Sequence, residues 1–180
     1  GIFWQTRQVA GTARRGARPP GRRISDLPGP VEILVDTRER YPYRFSKQRA
    51  DTDRAALAAG DYAVRDSAGE IIAAVERKSI GDLANSLNDG SLAFELMKLA
   101  EIPRAALVVE ERYSSLLKIP HAPTGYLPDL LARVQVRYPE VQIVFAETRP
   151  LAEEWTFRYL GAALAEAAGA REAGFTSGSG

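Results

Sequence analysis

Cysteine is missing from this sequence and histidine occurs once, at His121. Disulfide frameworks, cysteine-ligated zinc, thiol nucleophiles and histidine-rich metal sites are therefore excluded, and any bound metal must sit among oxygens. No apolar run reaches the ~18 residues that a transmembrane helix needs, and the first residues lack the apolar core of a signal peptide. A soluble intracellular protein, cytoplasmic or nucleoid-associated and without a membrane partner, is expected. No internal repeat is present, and the absence of a G-x-x-x-x-G-K-[ST] stretch argues against a nucleotide cofactor and an ATP-driven motor. Lysine is scarce, 4 residues against 20 arginines, so the placing of each one carries weight.

What is there is unevenly spread. The net charge is +1 over 180 residues, but residues 1–30 hold six arginines (Arg7, Arg14, Arg15, Arg18, Arg22, Arg23) against Asp26 alone, +5, leaving −4 for residues 31–180. Rich in Gly and Pro and poor in regularly spaced apolar residues, 1–30 is expected to be a flexible basic arm. Such an arm is either a solubilising tail or a contact for a polyanion, because arginines meeting phosphates release condensed counterions.

Residues 31–168 are long enough to bury one core. Val31–Val35, ending at Asp36, has the composition of a buried strand. A short helix is predicted over Arg54–Ala59, closed by Gly60. A hairpin follows, Asp61–Arg65 and Glu70–Glu76, turning at Asp66-Ser67-Ala68-Gly69. Ser79 is placed to cap a helix over Ile80–Leu87 that Gly90 ends. Further helices are predicted at Leu92–Ala100, Glu111–Leu117, Thr124–Tyr138 and Leu151–Ala168, with strands at Ala105–Val109 and Val141–Phe145. Residues 169–180 look like a disordered Gly/Ser tail. This order implies an α/β fold, a central mixed β-sheet flanked by α-helices.

The chemistry concentrates in Gly60-Asp61 and Val75-Glu76-Arg77-Lys78. The hairpin brings Asp61 to Glu76, and strand alternation sends Glu76 and Lys78 to one face and Arg77 to the other. Two acids holding a hard divalent cation, with an ammonium beside them, are the minimal kit for metal-dependent phosphodiester cleavage. Each piece alone has a plain reading: Gly60-Asp61 as a turn, Glu76-Arg77-Lys78 as a solvated charge run, and Asp82 as part of a capping box with Ser79. Together with Asp36 they favour a site.

The segments Val35-Asp36-Thr37-Arg38-Glu39, Gly60-Asp61-Tyr62 and Val75-Glu76-Arg77-Lys78-Ser79-Ile80-Gly81-Asp82-Leu83 resemble, in order, the signature of the XPF-type structure-specific endonuclease nuclease domain. That family is a branch of the PD-(D/E)XK superfamily. The resemblance covers roughly residues 31–165. It implies a restriction-endonuclease-like core, magnesium or manganese dependence, and cleavage of branched or junction DNA (flap, fork, splayed arm) in repair or recombination, as a homodimer or heterodimer. It makes Asp36, Asp61 and Glu76 metal ligands and puts Lys78 at the catalytic lysine. Arg77 and Asp82 match residues the family needs for full activity; Asp82 then acts as an outer ligand, orients Lys78, or only caps its helix. Arg38 is assigned to a structural bridge or a phosphate contact, and Glu39 to support of the ligands or a metal contact through water.

Two features depart from the resemblance. No helix-hairpin-helix module is seen in this sequence, and Ser91 stands where a basic residue contacting phosphate is expected. His121, between two prolines, is taken as a loop residue. Trp155, Phe157, Tyr159 and Leu160 are assigned to the core, with part of their face left for a dimer seam. The rival functional class is a catalytically silent nuclease-fold DNA-binding or scaffold module paired with an active partner. A sequence-specific restriction-type nuclease shares the core chemistry.

Overall fold

A computed structural model describes residues 21–176. Its centre is a six-stranded mixed sheet in the order β2-β1-β3-β4-β5-β6. The strands are β1 (Val31–Asp36), β2 (Ala50–Ala55), β3 (Tyr62–Arg65), β4 (Ile71–Lys78), β5 (Arg104–Val109) and β6 (Val141–Phe145). β1 pairs parallel with β2 and antiparallel with β3, β3 and β4 form the antiparallel hairpin, and β4-β5-β6 run parallel. Among the described residues four α-helices complete it: α1 (Ile80–Asp89), α2 (Ser91–Leu99), α3 (Tyr126–Arg137) and α4 (Arg149–Thr176), with short 3-10 turns at Ile24–Asp26 and Tyr113–Lys118.

Alternation along the strands builds two large clusters and a smaller one of Leu34, Leu57, Ala63 and Ala74. Val31, Ile33 and Val35 of β1, Tyr62 and Val64 of β3, and Ala73 and Val75 of β4 face α4, where Ala152, Leu160 and Ala163 meet them. Ala105, Leu107 and Val109 of β5 face the other way, against Leu83 and Leu87 of α1, Leu92, Leu96 and Leu99 of α2, and Leu127 and Leu131 of α3. Burying such a side chain contributes roughly 1.5–3 kcal/mol, so the helices on both faces hold the sheet, and its carboxyl edge, in place.

Three expectations are corrected. The helix over Arg54–Ala59 does not form: Ala50–Ala55 is an edge strand on β1, and Leu57 donates its backbone N–H to Asp36. The Ala-rich run favours a helix locally, but the unpaired edge of β1 offers a full ladder of hydrogen bonds, and pairing wins over propensity. The arm does not extend to residue 30, because Ile24 and Leu27 pack on the core and Ile24 seats on Gly161, where a Cβ would lie 3.0 Å from it. Residues 1–20 of that arm lie outside the described residues. Finally, α4 continues through Gly169 to Thr176, so the expected Gly/Ser tail is helical in its first eight positions, and 177–180 lie outside the described residues. An alanine-rich stretch with Glu166, Arg171 and Glu172 tolerates Gly169 and Gly174 at about 1 kcal/mol each.

Trp155, Phe157 and Tyr159 pack partly buried against the core, with Trp155 and Tyr159 stacked at 4.9 Å between centroids. Among the described residues no helix is long and apolar enough to cross a membrane.

Candidate active site

The acids gather at one edge of the sheet, where β1 and β4 end. Asp36 closes β1, and Lys78 closes β4 two residues after Glu76. Asp61 precedes β3 one step beyond the Tyr62–Val75 pair, which puts it opposite Glu76. The backbone N–H of Asp61 donates to Val75 O at 2.9 Å, and Asp36 N–H donates to Asp61 O at 2.9 Å, so Asp61 is tied both to β4, next to Glu76, and to the end of β1. Gly60 makes the entry possible: its φ is +82°, and a Cβ there would sit 3.1 Å from the Ala74 Cβ. That conformation favours glycine, which explains the Gly-Asp order.

The carboxylates differ in how they are held. Asp36 is 2% exposed. One oxygen accepts from Leu57 N–H at 2.9 Å, and the other from the Arg38 Nε at 2.9 Å and the Arg38 backbone N–H at 3.3 Å. Burial alone would raise its pKa, but the Leu57 amide and Arg38 outweigh burial and hold the carboxyl below its ordinary value. Asp61 is pushed up to about 6 by burial and by the charges of Glu39 and Asp36, against the pull of the Arg77 N–H, which donates to its Oδ2 at 2.8 Å. Glu76 is pushed up to about 8 by burial, then by Asp61 and Glu95, with Lys78 opposing. Asp61 and Glu76 are thus two crowded acids short of positive charge.

They line a cleft of about 260 Å³ together with Asp36, Glu39 and Glu95, and its cationic members are Arg38 and Lys98. Lys78 is buried beneath it, 7% exposed. Its Nζ donates to Glu95 Oε1 at 2.9 Å and Oε2 at 2.7 Å. Arg77 points to the opposite, α4-facing side with Tyr43, 5.9 Å from the ring centroid. From there it reaches round the sheet edge to Glu39, at 2.8 Å from Nη2 and 3.2 Å from Nε, and to Glu110 at 3.4 Å. Glu110 also accepts from the Tyr43 hydroxyl at 2.5 Å. Glu39 is therefore a fixed neighbour of the cleft, its side chain 7% exposed.

Asp82 stands apart. It is exposed in the first turn of α1, its N–H donates to Ser79 Oγ at 3.1 Å, and it does not line the cleft. Among the described residues no three His, Cys, Asp or Glu side chains converge as a group that could hold a metal ion together. The donor set that fits a hard cation is the pair Asp61 and Glu76. Magnesium suits such a pair, since it keeps several waters and takes one or two carboxylates plus substrate phosphate.

Sequence reasoning missed Glu95, Lys98 and Glu110. Glu95 left one signal: an acid lying between Leu92 and Leu99 at helical spacing, on the edge of a buried stripe. A larger cleft, about 480 Å³, opens at the far edge of the sheet by Glu32, Arg65 and Arg171, but it is mostly apolar and holds no carboxylate-lysine set.

The six-stranded mixed sheet with helices on both faces has the XPF nuclease-like fold. Two structures of XPF from Aeropyrum pernix, the second in complex with DNA, match with TM-scores of 0.58 and 0.56 at 24% and 25% identity. They cover 71% and 73% of this chain and 64% and 63% of theirs. A putative ATP-dependent RNA helicase of Methanocaldococcus jannaschii is 33% identical over 88 residues, 48% of this chain and 11% of the helicase. The ERCC4 domain profile matches residues 35–159, and the chain belongs to the ERCC4 domain family. It spans under two-thirds of the XPF chains and a small part of the helicase.

Proposed function

We propose that this domain is a magnesium- or manganese-dependent endonuclease that hydrolyses a phosphodiester bond of branched DNA, such as a flap, fork or splayed arm, in repair or recombination. One observation carries the reading: Asp61 and Glu76, both with raised pKa, crowd one cleft with Lys78 buried beside them. The complex of an Aeropyrum pernix XPF with DNA supports DNA as the polymer bound.

In this mechanism Asp61 and Glu76 would hold the divalent ion. A bound ion would supply Lewis acidity to the attacking water and to the scissile phosphate. Asp36, gripped by Arg38 and Leu57, keeps the β1 end fixed beside Asp61 and remains the candidate third ligand. Lys78 offers its ammonium to the attacking water or to the phosphate oxygen on which charge builds. The water oxygen bonds to phosphorus as its proton passes to solvent, the bond to the 3′ oxygen breaks, and that oxygen takes up a proton from solvent. Arg77 locks Glu39 and, through its own N–H, fixes the Asp61 carboxylate. Asp82 is held as an outer contributor or a helix cap. Arg38 and Lys98 at the cleft mouth would receive flanking phosphates.

The second reading, a silent DNA-binding or scaffold module with an active partner, draws on two observations: Asp36 has both oxygens engaged, and Lys78 is paired to Glu95. A panel of labelled flap, fork, bubble, nicked and linear DNAs with magnesium, manganese or chelator separates the two. The nuclease reading expects metal-dependent cutting of branched DNA that Glu76→Gln and Lys78→Met each abolish while thermal unfolding stays cooperative. Cutting that survives both substitutions refutes it, and binding without cutting favours the module.

A further inference from the structure

Lys78 is the one lysine among the described residues that is buried, and its only ion-pair partner among them comes from a different element. The four-carbon stem rises from the end of β4, while the carboxylate that receives it, Glu95, is on α2 and is still 35% exposed at its side chain. Both Glu95 oxygens accept from the same Nζ. An ammonium has three N–H donors, so this grip uses two and leaves one that Glu95 does not take.

The arrangement matters because of what Lys78 would otherwise do. Glu76 lies two residues back on the same strand face, about 7 Å along the backbone, well within reach of a flexible lysine. Glu76 is short of positive charge and already feels Lys78. Unrestrained, the ammonium would fold back onto Glu76 or Asp61 and close the acid pair against a cation. Glu95 holds it off from the helix side. The helix α2 is itself anchored in the core, since Leu92, Leu96 and Leu99 around Glu95 are buried to 1% exposure or less.

We propose that Glu95 is a positioning residue: its carboxylate grips the Lys78 ammonium by two hydrogen bonds, keeping it beside the Asp61–Glu76 pair but off it, with one N–H left to act on substrate. The last step rests on the nuclease reading; the grip itself does not.

The test has two arms. In the first, the ammonium groups of Lys47, Lys78, Lys98 and Lys118 are observed by 15N NMR of the metal-free protein. A slowly exchanging signal is expected from Lys78, assigned by its loss in Lys78→Met; it should vanish in Glu95→Ala and persist, shifted, in Glu95→Gln, which keeps one acceptor. A Lys78 signal unchanged in Glu95→Ala overturns the proposal, whatever the protein does to DNA. In the second, Glu95→Ala is expected to lower kcat on branched DNA about 10–100-fold, as a misplaced reacting group does, with KM changed by no more than about twofold and Glu95→Gln intermediate. An unchanged kcat in Glu95→Ala, with wild-type protein cutting, also overturns it. If wild-type protein fails to cut, the nuclease reading falls and the ammonium signal still decides the grip.

Discussion

Removing a charge from the cleft should make the metal-free domain more stable, and Glu76→Gln is the sharpest way to see it. Glu76 titrates at about 8 in the folded protein against an ordinary 4.5, because it is buried beside Asp61 and Glu95. Between those values the folded state holds a proton that the unfolded chain has released, so stability falls as pH rises through the interval. A single carboxyl moved from 4.5 to about 8 corresponds to about 5 kcal/mol above both values. Asp61, at about 6, shares the same repulsion, and water at the cleft mouth screens it, so a gain of about 1–3 kcal/mol is expected at pH 8.5. For a chain this size that is a rise in Tm of roughly 2–12 °C. The measurement is thermal unfolding of wild type and Glu76→Gln in chelator at pH 8.5 and pH 5. The difference should shrink toward zero at the lower pH. Saturating magnesium should then stabilise wild type more than the variant, since ligation by the folded state adds to stability. A variant no more stable than wild type at pH 8.5 would refute the picture of two acids in want of a cation.

Other consequences follow from single positions. Gly60→Ala puts a side chain at φ +82° and 3.1 Å from the Ala74 Cβ; a loss of about 1–3 kcal/mol is expected in urea unfolding. Ser79→Ala, which removes the oxygen accepting from Asp82 N–H, should cost about 1 kcal/mol, and Asp82→Asn under about 0.5 kcal/mol. Comparing the two in the cleavage assay tells whether Asp82 does more than sit in a capped turn: a rate lost only in Asp82→Asn gives its carboxylate a catalytic part. Deleting residues 1–20, which spares the packed Ile24 and Leu27, removes Arg7, Arg14, Arg15 and Arg18. If they meet phosphates, DNA affinity should fall and its salt slope flatten by about 0.9 for each phosphate no longer neutralised; an unchanged slope assigns the arm to solubility.

Much of the site could be read locally because it is carried by short-range rules. Strand alternation separates Glu76 and Lys78 from Arg77, and a hairpin turning at Asp66–Gly69 fixes Asp61 opposite Glu76. The β6 strand and the Ser79 and Gly90 boundaries of α1 were legible for the same reason, since composition and capping act within a few residues. The edge strand β2 was not legible, because its conformation is decided by β1, about 20 residues earlier in the chain, rather than by its own alanines. The packed segment at Ile24 and Leu27 likewise depends on the face of α4 it meets, and α4 outruns Gly169 and Gly174 by continuing an alanine-rich helix.

Composition and residue order alone settle which chemical groups are available: oxygen ligands only, a scarce lysine placed two residues after an acid, and the ordered segments that mark the ERCC4 family. How those groups are held is a matter of packing. Asp36 is gripped by Arg38 and Leu57 while Asp61 and Glu76 stay electrostatically unsatisfied, and Lys78 is caught by Glu95 on a helix 17 residues away. Side-chain type and periodicity are local properties, whereas a carboxylate's pKa and a lysine's partner depend on burial and on charges that only the folded chain brings within reach.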